Sequence, residues 1–408
     1  MRFIVIGISD APKPFIQPEV MRLIQNSSVF SGGKRHRQIM SPQLPKDAVW
    51  IDITVPLEDV FSRYNTITES DIVVFASGDP LFYGFANTLK RVFPEAEITV
   101  YPTFNSLQLL AHRLIMSYHD MQIVSLTGRD WTHFDQALLS CAHKIGVLTD
   151  KTHTPSAIAE RMLYYGYKDY QMYVGEHLGN PTEERISTLC LEEAAEQSFT
   201  MPNCLILVGN HRHRFGLPDE EFQLLDGREK MITKMPIRLL SLQRLDLSEK
   251  HTFWDIGFCT GSVSIEARIL FPHLKVVAFE IREEGRALME ANSRRFGTPG
   301  IDVHIGDFLC QPIETLPPPD AVFIGGHGGR LKEIMEKVNE VLADGGCMVM
   351  NSVTSAVVEQ STHRAHSKEV FVETCHRLGL LLEAPLKIQL NNYNSIEILK
   401  CRKQPSSR

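Results

Sequence analysis

The sequence predicts an α/β protein built as two successive halves, and three observations predict it. Short apolar runs recur with helix-like amphipathic stretches between them, the pattern of strands and helices alternating around mostly parallel sheets. The chain has 408 residues, 43% of them hydrophobic and 22% charged, more than one ordinary core absorbs. Near the middle, Gly209-Asn210-His211-Arg212-His213-Arg214-Phe215-Gly216-Leu217-Pro218 breaks the series with turn formers and charge, as a linker does.

In chain order, the first half offers strands at 3–7, 28–32, 49–53, 72–76, 98–101, 123–126, 145–148, 170–174 and 204–209. Each is a short run rich in Val, Ile, Leu or Phe, as strands are. A new series follows the linker, at 252–256, 275–280, 302–305, 321–324, 347–351, 386–389 and 395–399. We therefore expect a first domain over 1–208, a linker over 209–222, a second domain over 223–402 and a disordered polar tail over 403–408.

Composition narrows the function. The formal charge is −7, from 42 Lys and Arg against 49 Asp and Glu, which excludes a basic nucleic-acid coat and leaves polyanion binding local. Residues 1–210 hold 17 basic and 23 acidic residues, a net of −6, and residues 211–408 hold 25 and 26, a net of −1. No apolar run reaches the roughly 20 residues of a membrane helix, so no membrane partner and no secretory route is expected. The eight cysteines are scattered, with no C-x-x-C pair and no zinc spacing. Reduced thiols in a cytoplasm and no bound metal are the expectation.

The most distinctive string of the first half is Ala76-Ser77-Gly78-Asp79-Pro80-Leu81-Phe82-Tyr83-Gly84. A buried strand stops at Gly78 and Pro80 and restarts as a helix, leaving Asp79 on a rigid turn, where it is a helix cap or a ligand contact. The string closely resembles the tetrapyrrole methylase family. Further matches run in order: Gly32-Gly33-Lys34-Arg35-His36, Pro102 with Asn105-Ser106 and Gln108, Ser125-Leu126-Thr127-Gly128-Arg129, and Gly175-Glu176-His177-Leu178-Gly179-Asn180-Pro181 with Glu184-Arg185-Ile186. The opening departs from the family, with Gly7-Ile8-Ser9-Asp10 where relatives carry a glycine-rich turn. The resemblance implies a fold of two α/β subdomains and an S-adenosylmethionine site formed by Gly78, Asp79, Leu81, Asn105 and Ser106. It also implies a tetrapyrrole substrate whose carboxylate arms Lys34, Arg35 and Arg129 pair with; for the basic run 34–37 a solvated turn is the alternative.

In the second half, Thr252-Phe253-Trp254-Asp255-Ile256 runs into Gly257-Phe258-Cys259-Thr260-Gly261, a tight turn opening a helix, and Val276-Val277-Ala278-Phe279-Glu280 ends on one carboxylate. Glycines at such a turn admit a ligand against bare backbone, and a strand-end acid suits the hydroxyls of a ribose. The spacing fails the dinucleotide pattern G-x-G-x-x-G. It resembles instead the class I S-adenosylmethionine methyltransferases, with Cys259 where that family has glycine. The resemblance implies a Rossmann-like fold, a donor site of Asp255, Gly257, Gly261 and Glu280, and Asp307 near the adenine; as an alternative, Asp307 caps the next helix. Gly325-Gly326-His327-Gly328-Gly329-Arg330 is read as an acceptor-facing loop, since so much glycine is costly to order. His327 is acid, base or bystander.

Together the halves resemble the fused corrin-ring C-methyltransferases of cobalamin biosynthesis, with Leu217-Pro218-Asp219-Glu220-Phe222, Ile232-Thr233-Lys234 and Asn351-Ser352-Val353-Thr354 matching as well. That resemblance implies two S-adenosylmethionine sites per chain, S-adenosylhomocysteine as product, a corrin-ring tetrapyrrole as acceptor, and self-association into a homo-oligomer. Thr233, Lys234 and His327 are the candidate catalytic groups and Asn351 a further substrate contact. Two rivals stand: an RNA methyltransferase with an N-terminal recognition domain, disfavoured by the acidic first half, and a tetrapyrrole carrier with one or both donor sites dead.

Overall fold

The computed structural model describes residues 1–67, 71–227, 231–354, 367–390 and 395–405. They form two compact units: Met1–Asp130, Ala142–Leu163 and Lys168–Asn210 make the first, and Trp131–Cys141, Tyr164–Tyr167 and the chain from His211 onward the second. Two short stretches from within 1–208 thus belong to the second unit. The reason is apolar: Leu139, at the end of helix Thr132–Leu139, packs in one cluster with Leu217, Phe222, Ile232 and Ile265.

The first unit holds two sheets. Strands β1 (Arg2–Ile8), β2 (Val29–Gly32), β3 (Val49–Asp52), β4 (Ile72–Ser77) and β5 (Glu97–Tyr101) lie in the order β3-β2-β4-β1-β5, all parallel. Val73, Val74 and Phe75 are sealed because helices cover both faces. Strands β6 (Gln122–Ser125), β7 (Lys144–Leu148), β8 (Tyr170–Glu176), β9 (Arg185–Cys190) and β10 (Asn203–Gly209) follow in the order β6-β7-β10-β8-β9. Here only β6 and β7 run parallel. The sequence reading omits β9, an edge strand with four of six residues exposed.

The second unit is one sheet: β11 (Thr252–Ile256), β12 (Lys275–Glu280), β13 (Ile301–Ile305), β14 (Ala321–Ile324), β15 (Cys347–Thr354), β16 (Leu381–Leu382), β17 (Leu386–Ile388) and β18 (Ser395–Arg402). Its order is β13-β12-β11-β14-β15-β18-β16, with β17 also on β18. Strands β11 to β15 are parallel, and β18 runs antiparallel to β15. Alternation divides the core: Trp254, Val277, Phe279 and Met348 pack on one face, and Phe253, Val276, Phe323 and Val349 on the other. Lys403, read from sequence as the first residue of the tail, exchanges backbone hydrogen bonds with Gly345 and Gly346; residues 406–408 lie outside the described set.

A buried ionic knot holds the segment that leads into this unit. Arg238, fully buried in helix Met235–Leu245, donates to Glu266 at 3.0 Å, Asp219 at 3.1 Å and the Thr233 carbonyl at 2.8 Å. Glu266, also fully buried, accepts from the backbone N–H groups of Gly216 at 3.0 Å and Leu217 at 3.1 Å.

Candidate functional site

In the first unit the parallel strands end together, and the loops that follow them touch. Gly78 donates its N–H to the Ile8 carbonyl at 2.9 Å. A Cβ on Gly7 would fall 1.9 Å from the Gly78 oxygen, and one on Gly78 would fall 2.9 Å from the Asn105 Cα. Gly78 has φ +63°, which glycine adopts without penalty. Close backbone approach at carboxyl strand ends is where α/β sheets bind ligands. Here it borders a cavity of about 430 Å³, lined from the first sheet by Ser77, Gly78, Phe104, Asn105 and Ser106 and from the second by Leu178 and Cys204.

A polar cluster rims this cavity. Asp10 pairs with Arg35 at 3.0 Å and with His177 at 3.2 Å. Ser77 Oγ accepts from Arg35 at 2.8 Å and lies 3.0 Å from His36 Nε2. His36 Nδ1 accepts the Gly33 N–H at 3.2 Å, so the proton of the neutral ring sits on Nε2 and points at Ser77. Burial, aided by the Arg35 charge, lowers His36 to about 4 and keeps it neutral. With both neighbours donating to it, the Ser77 hydroxyl has its own proton left for an acceptor in the cavity it lines.

Of the residues read from sequence, Gly78, Asn105, Ser106 and Arg35 line this cavity. Asn105 also caps helix Ser106–Arg113 by accepting the Gln108 N–H at 2.9 Å. Asp79 turns its carboxylate back to the Leu81 N–H at 2.9 Å, and Leu81 and Arg129 line a separate, neighbouring cavity. Lys34 stands exposed at the first turn of helix Lys34–Met40. Asp10, His36 and Ser77 stand in the strings quoted from the sequence but are given no site role there; Asp10 lies two residues past the end of β1.

In the second unit the site lies where β11 and β14 adjoin and their connections part to opposite sides. Gly257 and Gly261 have φ +76° and +75°; a Cβ on Gly257 would meet Gly326 at 2.6 Å, and one on Gly261 would meet the Met289 sulfur at 2.5 Å. Cys259, at φ +52°, adopts the backbone that glycine serves elsewhere. Its N–H donates to Glu280 at 2.9 Å, and Glu280 also accepts from the Arg282 N–H and guanidinium, both at 3.1 Å. Asp255 is fully buried, accepts from Ser264 at 2.6 Å through one oxygen and has no partner on the other among the described residues. Burial pushes its carboxyl up to about 7, while Ser264 pulls the other way. A buried carboxylate oxygen without a donor is costly, and the Thr260 hydroxyl, in the turn that follows β11, is likewise buried and without a partner among the described residues. An ammonium group with hydroxyls nearby fits this set, so the residues present suit an amino-acid-bearing nucleoside.

The other readings in this unit resolve differently. Asp307 caps the turn Phe308–Cys310 through the Leu309 N–H at 3.0 Å and holds Arg330 in a bidentate pair at 2.9 and 2.8 Å; the Arg330 guanidinium keeps the Asp307 carboxyl below its usual range. His327 accepts the Gly329 N–H at 3.2 Å and lies 3.1 Å from the Ser367 hydroxyl. Gly325 packs against the Gly257 carbonyl, whereas Gly328 and Gly329, with φ +56° and +84°, face open space. Lys234 precedes helix Met235–Leu245 and lies 3.6 Å from Asp219; Thr233 offers its carbonyl to Arg238; Asn351 accepts from Ser241 at 3.0 Å. Among the described residues no cluster of metal-ligating side chains occurs and no helix is long and apolar enough to cross a membrane.

Comparison with known proteins gives matches in both halves. A tetrapyrrole (corrin/porphyrin) methylase model matches residues 16–195, and a precorrin methyltransferase domain model matches residues 225–377. A precorrin-6Y C(5,15)-methyltransferase (decarboxylating) from a Sinorhizobium species is 31% identical over 86% of this chain and 84% of its own. Two shorter relatives each match under half of the chain. The cobalt-precorrin-6B C(15)-methyltransferase (decarboxylating) of Salmonella typhi is 31% identical over 46% of this chain and 96% of its own. The cobalt-precorrin-7 C(5)-methyltransferase of Salmonella typhimurium is 29% identical over 44% and 86%.

Proposed function

Because this chain belongs to the precorrin-6Y C5,15-methyltransferase (decarboxylating) family, we propose that it methylates carbons 5 and 15 of a precorrin-6Y-type corrin ring and removes carbon dioxide from the acetate arm on carbon 12. It is an S-adenosylmethionine-dependent enzyme of cobalamin biosynthesis. The observation that carries the reading is a pair of unlike sites in one chain, each at the carboxyl ends of parallel strands and each narrowed by glycines that tolerate no Cβ. We assign C5 methylation to residues 1–208 and C15 methylation with decarboxylation to 223–402, joined by 209–222.

The methyl donor supplies an electrophilic methyl group on sulfur, so the chain's own work is to bind, align and exclude water. In the first site we assign donor contacts to Gly78, Asn105 and Ser106 and add the Ser77 hydroxyl as a hydrogen-bond donor. Asp79 and Leu81 shape the turn that borders it. In the second, the free Asp255 oxygen takes an ammonium, Gly257 and Gly261 leave room along the backbone, and Glu280 retains lone pairs for hydroxyl groups. Asp307 acts there through its cap and its pair with Arg330. The acceptor side is assigned to Lys34, Arg35 and Arg129 in the first unit. In the second it falls to Gly325, Gly326, Gly328, Gly329, Arg330 and Asn351, with Thr233, Lys234 and His327 nearest to a catalytic part. At carbon 5 or 15 a carbon–carbon bond forms as the carbon–sulfur bond breaks and a ring proton leaves; at the acetate, carbon dioxide departs and a proton takes its place. The ring stores the electron pair, so no nucleophilic serine, cysteine or metal is needed.

The eight free cysteines and the net charge of −7 support a cytoplasmic enzyme without a nucleic-acid or membrane partner, and the family supports a homo-oligomer. Mass spectrometry of the acceptor after incubation with the purified chain and S-adenosylmethionine tests the function. Two added methyl groups and one lost carbon dioxide are expected; an unchanged acceptor overturns the reading.

A further inference from the structure

We propose that the second cavity of the first unit, about 600 Å³, reads the carboxylate arms of the methyl acceptor, with Arg91 and Arg129 as its binding groups and Asp150 as the residue that positions Arg129. This rests on the C5-methylation reading and adds where the acceptor lies and which side chains select it. Phe82, Tyr83 and Gly84 line both this cavity and the one bordered by Gly78 and Asn105. The two cavities share that wall, so a molecule in one lies next to a molecule in the other.

Charge separates this cavity from the other basic positions. Arg35 is paired with Asp10 and Arg113 with Glu184. Among the described residues neither Arg91 nor Arg129 has a carboxylate partner, so both keep a full charge for a ligand. Arg129 is nonetheless held still. Its guanidinium donates to Ser125 Oγ at 2.9 Å and the Thr127 carbonyl at 3.2 Å, and stands 5.3 Å over the Tyr83 ring. Tyr83 carries φ +53°, a strained backbone that fixes where the ring points.

Asp150 explains how an arginine is fixed without being neutralised. Its carboxylate accepts the N–H of Gly128 at 2.9 Å, and those of Thr152 at 2.9 Å and His153 at 2.7 Å. Burial opposes ionisation there, but these donors outweigh it and hold the carboxyl well below its usual range. The acid therefore anchors the backbone one residue before Arg129, at Gly128 with φ +64°, and takes no guanidinium donor itself, so that one amino group of Arg129 is engaged by Ser125 and Thr127 and the charge meets no carboxylate among the described residues. A fixed planar fork suits carboxylates better than a mobile ammonium does. The ligand class that fits is a ring bearing several carboxylate arms, next to an aromatic wall.

The test is steady-state C5 methylation by the full chain with saturating S-adenosylmethionine, beside calorimetry with S-adenosylhomocysteine. Arg91→Gln and Arg129→Gln are each expected to raise KM for the acceptor about tenfold, with kcat little changed and S-adenosylhomocysteine affinity as in the wild type. Arg129→Lys recovers only part of the loss. Asp150→Ala should copy the Arg129→Gln effect, and Asp150→Asn, whose single amide oxygen serves either the Gly128 N–H or those of Thr152 and His153 but not both, should fall between the two. An unchanged acceptor KM in both arginine variants overturns the proposal, as does a parallel loss of S-adenosylhomocysteine affinity. If the wild-type chain adds no methyl at carbon 5, the function reading itself has failed, and that result appears before any variant is made.

Discussion

Asp255 joins burial, charge and one unsatisfied oxygen in a single side chain. Its carboxyl, pushed up to about 7 by burial, is protonated below that pH and ionised above it. A ligand ammonium needs the ionised form, so binding and proton release are linked. We expect S-adenosylhomocysteine affinity at the second site to hold above pH 7 and to fall by up to about tenfold per unit below it. In Asp255→Asn, calorimetry should show weak binding with no such slope. The sign follows from a raised acid: lowering the pH fills the group with a proton before the ligand reaches it. Sequence alone pointed to Glu280 because it closes an apolar strand, and to Asp255 through its place before Gly257 in a pattern that resembles the class I methyltransferases. The pairing of Asp307 with Arg330, 23 residues apart, was not legible, since only the fold brings a β13 loop to a β14 loop. Ser77, His36 and Asp10 stood in quoted strings without a role of their own, because the carboxyl end of β4, the helix after β2 and the loop after β1 meet only in the fold.

Elements were read well where burial wrote a continuous apolar run. Strands β1, β4, β11, β12 and β14 lie inside parallel sheets, and their sequences show it. The edge strand β9 is largely exposed and β16 is only two leucines long, so neither writes an apolar run that reads as a strand, and pairing to a neighbour defines them instead. Helix Met235–Leu245 lies where the sequence reading placed no element, and Arg238 within it is fully buried and joins Asp219 to Glu266. Replacing it by Met leaves Glu266 buried without its cation, which costs about 3–5 kcal/mol. Chemical denaturation of Arg238→Met should show that loss in the transition of the second unit.

At the scale of the whole molecule, two sites with separate construction predict separable failures. Gly7→Ala drives a Cβ to 1.9 Å from the Gly78 oxygen, and both partners are backbone, so β1 and β4 must part at their ends. The expected product, read by mass spectrometry, lacks the carbon 5 methyl yet still carries the carbon 15 methyl and the decarboxylated arm. Loss of both methyls would show that the first unit supports the second reaction.

The chain's route between its units bears on how the protein can be divided. Helix Thr132–Leu139 is encoded well before the linker yet supplies Leu139 to the same apolar cluster as Phe222 and Ile265. Scission of the gene near codon 210 would therefore strand this helix on the wrong fragment. One piece would display an oily ridge and the other a matching hole, so independent production of the two activities calls for a transplanted helix rather than a clean cut.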